Sequence, residues 1–202
     1  MSISLSLKEV QAAGFPMGGE PLVALDLADT VMTVGDPPVD LIDTPSAQAA
    51  WWKLQARRLP PGPPPDPTSV RRLRGAVREA FDAHLEGRTA SPTALEDINA
   101  TAAAVPTSPR LTATDGGLRE ETRWHTEYGG NAALAAVAGE AVALLGDPGR
   151  LKRLRRCGNP DCSMLFLAEN PRRKWCTGNI CGNRMRVARH YGRTRSQDAV
   201  AP

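Results

Sequence analysis

Apolar and polar residues follow different rhythms in successive parts of the chain. Leu22 to Val31 alternates loosely between apolar and small polar residues, which predicts a strand carrying Asp26 and Asp29. After Thr44-Pro-Ser46, the spacing of Ala47, Ala50, Trp51 and Leu54 predicts a helix from Ala47 to about Arg58, with Ser46 as its N-cap. Neighbouring helical residues lie about 100° apart, so Trp51 and Trp52 should not share the buried face. Pro60-Pro-Gly-Pro-Pro-Pro-Asp-Pro67 cannot be helical and reads as a stiff loop inside one bundle. A helix opening near Thr68 or Ser69 and closing at Gly87 should bury Val70, Leu73, Val77, Ala80, Phe81 and Leu85. Arg71, Arg72, Arg74 and Arg78 then fall on its solvated face.

Ser91-Pro92 opens a further helix, with Leu95, Ile98 and Ala102 as its apolar stripe. Leu111–Thr114, the turn Asp115-Gly-Gly117 and Leu118–Trp124 predict a β-hairpin, expected to join the strand near residue 25 in a small antiparallel sheet. An Ala-rich helix follows from about Asn131 to Leu145, ended by Gly146 and Pro148, and Arg150 to Arg156 should extend as a short basic helix. The first twenty residues show little periodicity and are expected to be only partly ordered.

Beyond residue 150 the chemistry changes. All four cysteines lie there, as Cys157-x4-Cys162 and Cys176-x4-Cys181, each pair in a turn-rich setting of Gly, Asn or Pro. Two short pairs suit a closed tetrahedral thiolate shell around one structural Zn2+. The competing reading is two disulfides or buried thiols. No upstream segment resembles a secretory signal, which favours a reducing cytoplasm and the metal. Four thiolates leave no open position for substrate. No Walker loop, dinucleotide fingerprint or metalloprotease pattern of His84, His125 and His190 appears, so no enzymatic activity is expected. The longest apolar run, Ala132–Leu145, is too short to span a bilayer, and no membrane association is expected.

Net charge sharpens the division. Residues 150–195 carry thirteen Lys/Arg against Asp161 and Glu169, a net of +11, whereas residues 1–149 carry a net of −7. The expected fold class is α+β: a mainly helical N-terminal domain with a small antiparallel β component, followed by a small four-cysteine zinc-finger module. The expected divisions are a leader over 1–18, a body over 19–148, the finger over 149–195 and a tail over 196–202. Replacing one Cys should unfold the finger and leave the body intact.

Cys157-x4-Cys162, Phe166, Arg172-Arg-Lys-Trp-Cys176 and Cys181-Gly-Asn-Arg184 resemble the CGNR-type zinc finger of predicted bacterial transcriptional regulators. Leu25–Thr30, Trp51-Trp52, Leu73-Arg74 through Arg78-Glu79, and Ile98-Asn99 more loosely resemble the ABATE domain that precedes this finger in that family. The family usually has Asn where Asp29 stands. The resemblance implies a stress-related regulator that binds DNA and senses an unidentified small molecule. Asp26, Asp29, Thr30 and Trp51 are its candidate ligand contacts. Arg172, Arg173, Lys174, Arg186, Arg189, His190 and Arg193 are the candidate nucleic-acid contacts, and a homodimer is compatible with that role. Arg184 is expected to turn inward, toward knuckle carbonyls or Asp161. The alternative is a zinc-stabilised module that docks protein or RNA without reading a DNA sequence.

Overall fold

A computed structural model describes residues 4–198, with side chains through Tyr191. Two short helices open the chain, Leu7–Ala12 (α1) and Val23–Ala28 (α2). Residues 4–18 of the leader are described, and α1 is held by a local cap. Ser6 Oγ accepts the Glu9 N–H at 3.3 Å while the Glu9 carboxylate accepts the Ser6 N–H at 2.8 Å, a reciprocal cap. Leu5, Val10 and Phe15 are thereby carried into the main core.

α2 replaces the strand expected over Leu22–Val31. All six of its side chains are buried, so no exposed face marks a period, and a short buried run reads alike for strand and helix. Leu22 offers no side-chain cap; instead Glu140 reaches over and accepts the Ala24 N–H at 3.0 Å. An acid at a helix N-terminus is favourable.

Val31–Met32 (β1) and Val39–Asp40 (β2) form a minimal antiparallel pair. Pro45–Gln55 (α3) follows, capped by Thr44 rather than Ser46, and runs into a single 3₁₀ turn, Ala56–Arg58. Pro67–Leu85 (α4) starts straight from the proline run, with Asp66 as N-cap and Pro67 in the first turn, slightly earlier than expected. Pro92–Ala103 (α5) has the expected Ser91 cap. Thr107–Thr114 (β3) and Gly117–Trp124 (β4) pair in full register, from Thr107 opposite Trp124 to Thr114 opposite Gly117. They do not join a strand near residue 25, because none exists; the described sheets are three separate two-stranded ones.

Ala132–Leu145 (α6) follows the expected bounds, with Asn131 as its N-cap. Arg150–Arg156 is not a helix throughout. A turn of helix, Pro148–Leu151 (α7), gives way to Leu154–Arg156 (β5), which pairs antiparallel with Leu165–Leu167 (β6). Asn183–Asp198 (α8) closes the described chain. The result is the expected mainly helical body with small antiparallel sheets and a C-terminal module of four clustered cysteines.

α2 packs against α4, α6 and β6 at the centre of the core. Arg74 and Arg78 of α4 are buried, not solvated. Arg74 grips Asp40 with two nitrogens at 2.7 and 2.6 Å, and Arg78 bonds Asp29, Asp82 and the Ser163 carbonyl. Arg71 and Arg72 stay exposed, as expected. Trp51 and Trp52 are both buried, edge to face with centroids 4.8 Å apart. Two faces of α3 are flanked: the core lies on one, and the proline loop stands across a cleft from the other, beside Trp52.

Candidate metal centre

The β5–β6 turn and the wide π-type turn Gly178–Gly182 bring Cys157, Cys162, Cys176 and Cys181 together, all buried, with their Sγ atoms within 4.8 Å of one another. Cys176 Sγ lies 3.8 Å from Cys162 Sγ and 3.6 Å from Cys181 Sγ. Tetrahedral Zn–S bonds of about 2.3 Å set the sulfurs about 3.8 Å apart, so the donor set fits one structural zinc. Crowding splits the thiol acidities. Hydrogen bonding with Cys162, then Cys176, draws Cys157 down to about 2, while its contact with Cys157 pushes Cys162 up to about 12. Cys176 is pushed up as well, by Cys157 first. A divalent cation at the centre removes that conflict by stabilising every thiolate.

Groups around the sulfurs orient them. Asn159 Nδ2 donates to Cys181 Sγ at 3.7 Å, and the Cys176 N–H donates to Cys157 Sγ at 3.5 Å. Trp175 lies between the two Cys-Gly-Asn turns. A Cβ on Gly158 would meet its ring at 3.1 Å, and one on Gly182 would meet it at 3.0 Å. These glycines therefore make room for an indole. Met17, from the leader, brings its Sδ to 3.6 Å from Cys176 Sγ.

The module is clamped to the body by buried carboxylates. The outer edge of β6 presents the N–H groups of Leu165 and Leu167. Both Asp29 oxygens accept the first, at 3.0 and 2.9 Å, and Glu20 accepts the second at 3.2 Å. Glu20 also takes Arg173 Nη2 at 2.7 Å. Burial pushes the Asp29 carboxyl well above the usual range, against the pull of Arg78. Burial likewise raises Glu20, against Arg173, and Asp26, against Arg58. The candidate ligand residues Asp26, Asp29, Thr30 and Trp51 do meet around one cavity, of only about 10 Å3. That space suits about one water. The polar atoms of the first three are engaged within the protein: Asp26 with Arg58 at 2.6 Å and the Gly19 N–H at 2.9 Å, Asp29 with the Leu165 N–H, and Thr30 Oγ1 with the Leu27 carbonyl.

With this geometry in view, two family matches account for most of the chain. Residues 22–148 match ABATE, described as "Putative stress-induced transcription regulator". The chain belongs to the ABATE family. Residues 153–194 match the CGNR zinc finger, which agrees with the four-sulfur cluster. No curated protein matches the chain.

In this ABATE protein the cations expected at nucleic acid divide differently from expectation. Arg173 points inward: besides Glu20 it bonds the carbonyls of Leu167, Trp175 and Cys176, and it lies 4.4 Å over the Phe166 ring. Arg172, Lys174, Arg186, Arg189 and His190 are exposed. Arg184 is exposed too and makes no hydrogen bond among the described residues, so its expected inward turn is not seen. The apolar residues one turn apart on this helix, Val187 and Tyr191, are themselves 45% and 65% exposed. Arg193 lies outside the residues whose side chains are described. No described helix is long and apolar enough to cross a membrane.

Proposed function

We propose that this ABATE protein is a cytoplasmic DNA-binding transcriptional regulator, acting by binding rather than catalysis, with a small-molecule-sensing body and a zinc module that contacts duplex phosphates. The observation that carries the reading is the state of the module's cations. Arg156 is paired with Asp82 at 2.7 Å and Arg173 with Glu20 at 2.7 Å, whereas Arg172, Lys174, Arg184, Arg186 and Arg189 are exposed and have no ion pair among the described residues. A structural zinc shell of four thiolates carries a formal charge of −2 and does not call for so many outward cations. Phosphates do, because each contact releases condensed counterions. α8 is a helix of a size that fits a major groove.

A salt titration of the zinc-loaded chain against duplex DNA tests this. About four phosphate contacts give a log–log slope near −3.6. Charge removal at Arg186 and Arg189 should weaken binding and flatten that slope, with zinc content unchanged. A flat salt response overturns the reading, and tighter binding to structured RNA than to any duplex DNA replaces it with an RNA-binding module.

A further inference from the structure

The two adjacent tryptophans of α3 look onto different spaces. Trp51 borders the 10 Å3 cavity beside Asp26, whose carboxylate is paired with Arg58. Trp52 borders a half-open cleft of about 310 Å3 on the other side of the helix, walled by Lys53, Ala56, Leu59, Ala133 and the proline loop 60–65. This volume is at the lower end of small-molecule pockets, and its lining of indole, proline rings and alanine is almost wholly apolar. The walls are preformed: proline fixes the loop backbone, and Asn131 Nδ2 ties the Pro63 carbonyl to the start of α6 at 3.0 Å. One charge stands in the lining. Lys53 is exposed, and its side chain makes no ion pair or hydrogen bond among the described residues.

We propose that this cleft is the ligand site of the body and that it takes a small, flat apolar molecule bearing one anionic group, an aromatic carboxylate by class. The ring system would lie against Trp52 and the prolines, where pockets gain most of their affinity, and the carboxylate would meet Lys53 at the mouth. The proposal rests on the sensing role given above and supplies its place. Hydrogen bonds also link the helix that walls the cleft to the finger. Gln55 and Arg58, at the end of the same helix and its 3₁₀ turn, bond Asp26, and Arg58 Nη2 bonds the Glu20 carbonyl at 2.6 Å. Glu20 is the residue whose carboxylate holds Leu167 and Arg173 of the zinc module.

The test uses the full zinc-loaded chain without nucleic acid, so that it stands apart from the DNA question. 1-Naphthoate is the probe, with 1-naphthalenemethanol as its neutral analogue, followed by calorimetry and by the indole N–H resonance of Trp52. Saturable one-to-one binding of naphthoate is expected, at least ten-fold tighter than the alcohol, with the Trp52 resonance shifting. Lys53→Ala should erase the preference for the anion, and Ala49→Trp, a substitution at an exposed lining position, should block the cleft while leaving melting and zinc content unchanged. Absence of saturable binding overturns the proposal, as does binding that survives Ala49→Trp. A probe-free dimer that Ala49→Trp dissociates would assign the cleft to a second copy, and it too would overturn the proposal.

Discussion

Asp29 shows how much one buried group decides. It sits at the end of α2, where the sequence suggested a ligand contact, yet its two oxygens hold the edge of the zinc module and its charge faces Arg78. Its folded pKa lies well above the usual carboxylate value because burial penalises the charge. The folded state therefore binds more protons than the unfolded one above about pH 4, and this group's contribution to stability falls as pH rises toward the folded pKa. Asp29→Asn removes that titration. The stability difference between wild type and the variant, from urea melts between about pH 4.5 and 8, should shrink as pH rises. Protonation of the zinc ligands has the opposite slope but is common to both proteins and cancels. A difference that grows with pH contradicts the assignment. The glycines beside Trp175 permit a second expectation at this scale. Gly182→Ala must displace the indole and should cost about 1–3 kcal/mol, read as weaker zinc retention against a chelator. In a Trp175→Ala background the same change should be nearly neutral; an equal cost there would locate the strain in the backbone.

Among the elements, those with a local cause were legible in advance. Ser91 caps α5 through its own side chain, and the paired Cys-x4-Cys spacing encodes the sulfur cluster directly. Elements decided by distant partners were not legible. α2 owes its N-terminal cap to Glu140, 116 residues away, and Arg74 and Arg78 are buried because Asp40 and Asp29 arrive from other elements to neutralise them. Of the site, the four ligands could be read, but the inward turn of Arg173 and the exposure of Arg184 depended on contacts no helical wheel contains. The β3–β4 hairpin is legible and isolated at once. Trp124 anchors its base on Val105, Ala132 and Ala135, while Leu111 and Leu118 are 68% and 75% exposed. A two-stranded hairpin alone is marginal in water. Its amides toward the turn should exchange far faster than those of α4 and α6, and Leu118→Thr should change stability by no more than about 0.5 kcal/mol. Slow exchange there would mean that a partner covers the hairpin.

At the scale of the whole molecule, body and finger are not independent. Leu154, Leu165 and Leu167 flank the zinc ligands in sequence yet belong to the same core as α2, α4 and α6. Asp29 and Glu20, deep in the body, find their donors on β6 and Arg173. Losing the metal releases the turns that hold β5 and β6, and structural zinc in such sites is worth about 10–16 kcal/mol of coupled folding. If the strands leave, three apolar side chains worth about 1.5–3 kcal/mol each are uncovered. Asp29 and Glu20 also lose the Leu165 and Leu167 N–H groups and Arg173 as partners. That sum rivals the about 5–15 kcal/mol that stabilises a whole domain. The expectation that a Cys replacement would spare the body therefore reverses. Cys162→Ala, or chelation of the wild type, should lower the melting temperature of the helical signal and not merely remove a small finger transition. The holo-protein should unfold in one cooperative step. Far-ultraviolet circular dichroism melts with and without chelator decide the matter: an unchanged helical transition after complete zinc removal would show that the shared core does not couple the two.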